Sequence, residues 1–145
     1  MDKKKLLISA CLIGENCKYN GGNNRLSVID SLAEKYELIP ACPEQLGGLS
    51  TPRKPSEIVG DRVVNNIGDD VTAEFIRGAN KTLEIAKSNG CFACLLKERS
   101  PSCGVKNIYD GNFKNKTVKG SGITTQLLKF HGFMVVSEEE VNKLI

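Results

Sequence analysis

The sequence predicts an α/β fold, a three-layer α/β/α sandwich of Rossmann-like kind built on a mostly parallel sheet. Two patterns carry that expectation. Short apolar runs alternate with amphipathic helical stretches along the chain, and three of the runs are each followed by a cysteine, at Cys11, Cys42 and Cys103. A third observation is scale: 145 residues, 40% of them hydrophobic, are enough for one domain with a buried core, expected to span 1–145.

Residues 5–10 carry the apolar run Leu6-Leu7-Ile8 and end in small residues, the pattern of a strand buried on both faces, and Cys11 lies just past it. Across residues 25–36, Leu26, Ile29, Leu32 and Tyr36 recur at three- and four-residue spacing, which puts one apolar stripe on a helix that Asn23 or Asn24 would cap. Residues 37–41 read as a second strand running into Cys42. The stretch 47–55 is rich in Gly, Pro, Ser and Thr and reads as a binding loop.

Gly60 and Asp61 sit in the middle of a hairpin expected over 57–67. Asp69 or Asp70 then caps a long helix reaching Asn89, and Gly90 ends it. A third core strand is expected at 91–97, followed by a loop at 98–104 that carries Ser100, Pro101, Ser102 and Cys103. Residues 106–119, with Asp110-Gly111, read as a hairpin or flap. A helix over 122–131 feeds a strand over 133–136, and Ser137 with Glu140 predicts a capping box for a short closing helix.

Composition narrows the function. The net charge is +3, and Lys and Arg are scattered except at residues 3–5, so no nucleic-acid polymer is expected as a partner. The lysine run and the apolar stretch after it resemble a secretory leader, but that stretch falls short of the ~7 residues a leader's apolar region needs. No window approaches the ~18 apolar residues of a membrane span. A cytoplasmic location without membrane attachment is the expectation. Six cysteines are many for such a chain, and clustered cytoplasmic thiols more often bind metal or do chemistry than form disulfides.

In open parallel sheets, ligands bind outside the carboxyl ends of the strands. Cys11, Cys42 and Cys103 all fall at that edge and are read as one shared site. Cys91 and Cys94 have the spacing of a zinc or redox pair, but they lie within a strand and are expected to be core packing. Cys17, near the same rim, is held as accessory. Structural zinc wants four closed ligands, and the single histidine, His131, sits in the last turn of a helix, where it would stabilise the helix end. Three thiolates with one position open suit an iron-sulfur cluster instead.

Five runs of sequence then carry a resemblance: Ser-Ala-Cys-Leu at 9–12, Tyr-Asn-Gly at 19–21, Cys-Pro-Glu-Gln-Leu-Gly-Gly-Leu-Ser-Thr-Pro-Arg at 42–53, Lys-Glu-Arg-Ser-Pro-Ser-Cys-Gly at 97–104 and Ile-Tyr-Asp-Gly at 108–111. In this order and over almost the whole chain they resemble the thiouracil desulfurase family, once a bacterial domain of unknown function. The departures, at Asn20 and Arg99, touch no ligand. The resemblance implies a 4Fe-4S cluster held by Cys11, Cys42 and Cys103 with one iron open. It implies non-redox removal of sulfur from a thiolated pyrimidine such as 2-thiouracil, a small-molecule partner, to leave the oxo base.

Within that reading Glu44, two residues after Cys42, is the candidate acid and base for the attacking water. Ser102 would orient water or hydrogen-bond a cluster sulfur, and Ser100 would act likewise. Gly47 and Gly48 would let backbone approach a planar base, Arg53 would reach a substrate carbonyl or solvate the loop, and Tyr19 and Asn20 would line the mouth. Two rival classes remain: a non-catalytic iron-sulfur or sulfur carrier, and a thiol redox protein using Cys91 and Cys94.

Overall fold

The computed structural model describes residues 3–145; Met1 and Asp2, the first residues of the stretch weighed as a leader, lie outside the described residues. The chain opens with β1 (Lys4–Ser9), followed by a 3-10 turn at Ala10–Ile13, α1 (Ile29–Lys35), β2 (Tyr36–Ala41) and a one-turn helix α2 (Pro43–Leu46). A hairpin of β3 (Ser56–Val59) and β4 (Arg62–Asn65) precedes the long helix α3 (Thr72–Ser88) and β5 (Ala93–Leu96). A second hairpin, β6 (Asn107–Tyr109) and β7 (Thr117–Lys119), leads to α4 (Ile123–Phe130), β8 (Met134–Ser137) and a closing 3-10 segment, Glu138–Lys143.

Four strands make the central sheet in the order β2-β1-β5-β8, and every neighbouring pair is parallel. The architecture is therefore mixed α/β around a mostly parallel sheet, as the alternating pattern predicts. Both faces of the sheet are apolar because both are covered. Leu6, Ile8, Leu95 and Val136 pack with Ile29 and Leu32 of α1 and with Leu144. Leu7, Leu96 and Val135 pack with Leu83 and Ala86 of α3 and Leu128 of α4. No helix among the described residues is long and apolar enough to cross a membrane.

Most element boundaries agree with the sequence, and the differences have local causes. Residues 24–28 stay out of α1 because their amides go elsewhere: Asn24 N donates to Cys11 O and Leu26 N to Leu12 O, both at 2.9 Å. Val28, with no side-chain cap bond, takes the N-cap position expected of Asn23 or Asn24. Asp70 does serve α3, its Oδ1 accepting from Thr72 N at 2.9 Å. β5 begins only at Ala93, so Cys91 precedes the strand, and it packs in the same apolar cluster as Cys94. Ser137 Oγ accepts from Glu139 N, but Glu140 pairs with Lys106 and Lys143, so the capping box is half made and the segment winds as 3-10 turns.

One close approach fixes the site's outer wall. Gly47, just past α2, and Gly78, in the middle of α3, face each other; a Cβ on Gly78 would stand 1.9 Å from Pro43 O, and one on Gly47 1.9 Å from Glu74 O. The missing side chains let the helix that follows Cys42 lie directly on α3. Gly78→Ala should therefore destabilise the protein by roughly 1–3 kcal/mol through overpacking, although alanine favours a helix interior by ~1 kcal/mol. A thermal midpoint equal to or above wild type would contradict this packing.

Candidate functional site

Strand register brings the three motif cysteines to one place. Ser9 at the end of β1 is level with Ala41 at the end of β2, and Ile8 is level with Leu95 of β5. Ser9 Oγ accepts from Lys97 N at 3.0 Å, tying the ends of β1 and β5 together. Cys11, Cys42 and Cys103 line one cavity of about 520 Å³ beyond these ends, with Cys17, Glu44, Arg53, Tyr19 and Ser100. That volume is in the range of small-molecule sites.

Each thiol has its own support. Asn24 Nδ2 donates to Cys11 Sγ at 3.5 Å, and the Cys11 carbonyl anchors Asn24 N. Cys42 is the N-cap of α2, and its thiol donates to Cys17 O at 3.8 Å. Cys103 is held from its backbone: Ser100 Oγ accepts from both Ser102 N at 3.1 Å and Cys103 N at 3.0 Å. Behind it, Ser102 Oγ bonds Thr124 Oγ1 at 3.0 Å and accepts from Cys103 Sγ at 3.8 Å.

The electrostatics separate the thiols. Hydrogen bonding from Cys17 pulls Cys42 down to about 7, against burial and with help from the Gln45 amide. Cys11 is lowered by the same neighbour and by Asn24. Cys17 moves up in return, because it is the donor to both and is buried. Burial pushes Cys103 up to about 12. Cys94, also raised to about 12 by burial, and Cys91, raised by burial, lie in the core away from the cavity. All six cysteines are free, so Cys91 and Cys94 form no disulfide.

Two of the sequence-predicted polar residues form a pair. Arg53 Nε donates to Glu44 Oε1 at 3.0 Å, with the arginine side chain 7% and the glutamate 18% exposed. Its other nitrogens reach Ser50 O, Thr51 Oγ1 and Cys17 O. Arg53 thus orients Glu44 and clamps the Cys17 loop, and it also lines the cavity. Tyr19 and Ser100 line the cavity as expected, while Asn20, Gly47, Gly48 and Ser102 do not. Gly47 is taken by the contact with α3, Ser102 is buried behind Cys103, and the Asn20 side chain turns back to accept from Gly22 N at 2.9 Å.

Three site residues escaped the sequence reading. Asn24 carries a capping signal that the chain uses for Cys11. Lys97, lining the cavity, pairs with Glu138 Oε2 at 2.8 Å and brings a cation near the thiols. Glu98 reads in sequence as one of three consecutive charged residues, yet it is 2% exposed. Its Oε1 accepts from Arg99 N, Val105 N, Lys106 N and Asn107 N at 2.7–3.3 Å, closing the Cys103 loop at both ends. Burial disfavours its charge, but those amides outweigh it and hold the carboxyl below its ordinary value. Its Oε2 is buried without a partner.

The donor set is soft and matches the cluster the resemblance implies. Among the described residues no three His, Cys, Asp or Glu side chains converge on one point as a single metal ion requires. Cys11, Cys42 and Cys103 nevertheless line one cavity, and three thiolates are the donor type that iron-sulfur groups take.

Comparison with known proteins points the same way. The family model described as 2-thiouracil desulfurase matches residues 6–140. A protein of Bacillus subtilis (strain 168) described as the uncharacterized protein YbbK is 43% identical over 150 residues, which cover 97% of this chain and 99% of that protein. The solved structure of the 4Fe-4S-dependent thiouracil desulfidase TudS matches with a TM-score of 0.93 at 43% identity, covering 98% of this chain and 95% of that one.

The acid limb of stability should report on Glu98. Because its folded pKa is lowered, its contribution is present above the unfolded carboxylate value and is lost as pH falls through the folded one. Glu98→Ala should cost about 3 kcal/mol near neutral pH, since four loop amides lose their acceptor, and should flatten the loss of stability on acidification. Denaturant titrations across acid pH check both, and an Ala variant as stable as wild type would rule out the loop-closing role.

Proposed function

The chain belongs to the 2-thiouracil desulfurase family, and from that premise we propose that it is an iron-sulfur-dependent desulfurase converting a thiolated pyrimidine such as 2-thiouracil to its oxo base. The observation that carries the reading is the meeting of Cys11, Cys42 and Cys103 at one cavity with a paired carboxylate beside them. These three thiols would hold a 4Fe-4S cluster. When bound, the cluster supplies a Lewis-acidic iron without a protein ligand, to which the soft thiocarbonyl sulfur is suited.

The residues around the thiols then divide the remaining work. Glu44, fixed by Arg53, takes a proton from the water whose oxygen bonds to the thiocarbonyl carbon and passes it to the sulfur as the carbon–sulfur bond breaks. With the second water proton the sulfur leaves at the sulfide level, so no redox change occurs. Ser100 Oγ already accepts two amides, so its hydroxyl hydrogen is free to be donated into the cavity, toward substrate. Ser102 backs Cys103. Lys97 offsets part of the negative charge that thiolates and cluster bring together. Tyr19 lines the mouth.

The finer architectural reading accompanies this one. Helices on both faces of a parallel sheet, with the ligand site at the carboxyl edge, support a three-layer, Rossmann-like single domain over 1–145. A cytoplasmic location is in keeping with six free thiols. A carrier without turnover needs neither a substrate-sized cavity nor an oriented carboxylate.

Protein reconstituted anaerobically with iron and sulfide should convert 2-thiouracil to uracil. Alanine at Cys11, Cys42 or Cys103 should abolish both bound iron and turnover, whereas Cys91→Ala and Cys94→Ala should keep both. Glu44→Gln should retain its iron while kcat drops by roughly 10²–10⁴-fold. Iron bound at those cysteines with no turnover would favour the carrier, and protein that stays colourless would overturn the reading.

A further inference from the structure

The β6–β7 hairpin ends in a tip whose backbone is unusual for its sequence. Phe113 has φ 56 and Asn115 φ 57. Asparagine enters that left-handed region readily; phenylalanine is a genuine outlier there, held only when its surroundings over-determine it. The restraint is visible. Glu57, 8% exposed, accepts from Gly111 N at 2.9 Å and from Phe113 N at 3.2 Å through one oxygen, while Asp110 N donates to Lys116 O. A buried carboxylate from the other hairpin thus fixes the tip.

The strained residue borders the thiol cavity, as do Tyr109 of β6 and Tyr19 from the loop after the first 3-10 turn. None of these three rings is stacked on another; the ring pairs among the described residues are Tyr36 with Phe92 and Phe130 with His131. Phe113 is also 37% exposed, so its side chain is not there to fill the core. Glycine would take the same backbone without strain. A bulky apolar ring kept at strained backbone beside a site that lacks any ring partner fits a ligand with a flat conjugated face.

We propose that Phe113 is a specificity-determining residue that stacks on the substrate ring, with Tyr19 and Tyr109 flanking it and Glu57 as the positioning residue that holds it there. The proposal rests on the desulfurase reading and adds the selection of a planar heterocycle over an acyclic thiocarbonyl. The chemistry at sulfur stays with the cysteines and Glu44.

Steady-state kinetics with 2-thiouracil and binding of uracil to the reconstituted enzyme test it together, since uracil has the ring without the sulfur. Phe113→Gly should keep the wild-type iron content and a thermal midpoint no lower than wild type. It should raise both KM and the uracil dissociation constant about tenfold and leave kcat within about twofold. Phe113→Tyr should restore both constants, and Phe113→Leu, which keeps bulk without the ring, should behave as the glycine variant does. Unchanged KM and uracil binding in the glycine and leucine variants would overturn the stacking role. Absence of turnover in wild type would instead overturn the desulfurase reading, and uracil binding alone would then decide whether Phe113 recognises a ring.

Discussion

Parallel pairing of β1 with β2 sets Ser9 opposite Ala41, and pairing with β5 sets Ile8 opposite Leu95. Because β1 is central and packs on both faces, sliding by one residue would exchange the side chains fitted against α1 with those fitted against α3 and α4 and break both packings. The same register decides where the strands stop. Cys11 and Cys42 follow their strands by one or two residues and Cys103 returns at the end of a short loop, so three positions far apart in sequence come to one rim. Every later feature of the site is a way of holding those loops still.

The holding is electrostatic more than apolar. Arg53 joins the Cys17 loop to Glu44 and to its own turn, Glu98 gathers four amides around the Cys103 loop, and Glu57 pins the β6–β7 tip. Loops carry backbone groups that need partners, and a buried ionic side chain satisfies several at once while fixing a geometry. This explains why acidic residues, usually solvated, are buried around the cavity. It also means the thiols are arranged before anything binds, which lowers the cost of assembling the site.

Much of the fold was legible. The apolar runs, the helical stripe of α3 with its Asp70 and Gly90 boundaries, both hairpins and the shared rim of Cys11, Cys42 and Cys103 follow from periodicity and turn chemistry. What stayed hidden depended on long-range pairing. The start of α1 moved because Asn24 and Leu26 bond to the 3-10 turn, and no local pattern announces that. Gly47 reads as loop freedom until Gly78 is seen against it. Glu57 and Glu98 look like surface charges, because burial of an acid is paid for by amides many residues away. Phe113 in left-handed backbone has no sequence signal at all.

The central claim is that Cys11, Cys42 and Cys103 share one polynuclear iron site with a position left free. Iron anomalous diffraction from an anaerobically grown crystal of the reconstituted protein tests it most directly. The account predicts four iron peaks bounded by those three sulfurs, with the fourth iron lacking any protein ligand. A single iron, or a ligand set that includes Cys91, Cys94 or Cys17 in place of one of the three, would contradict it.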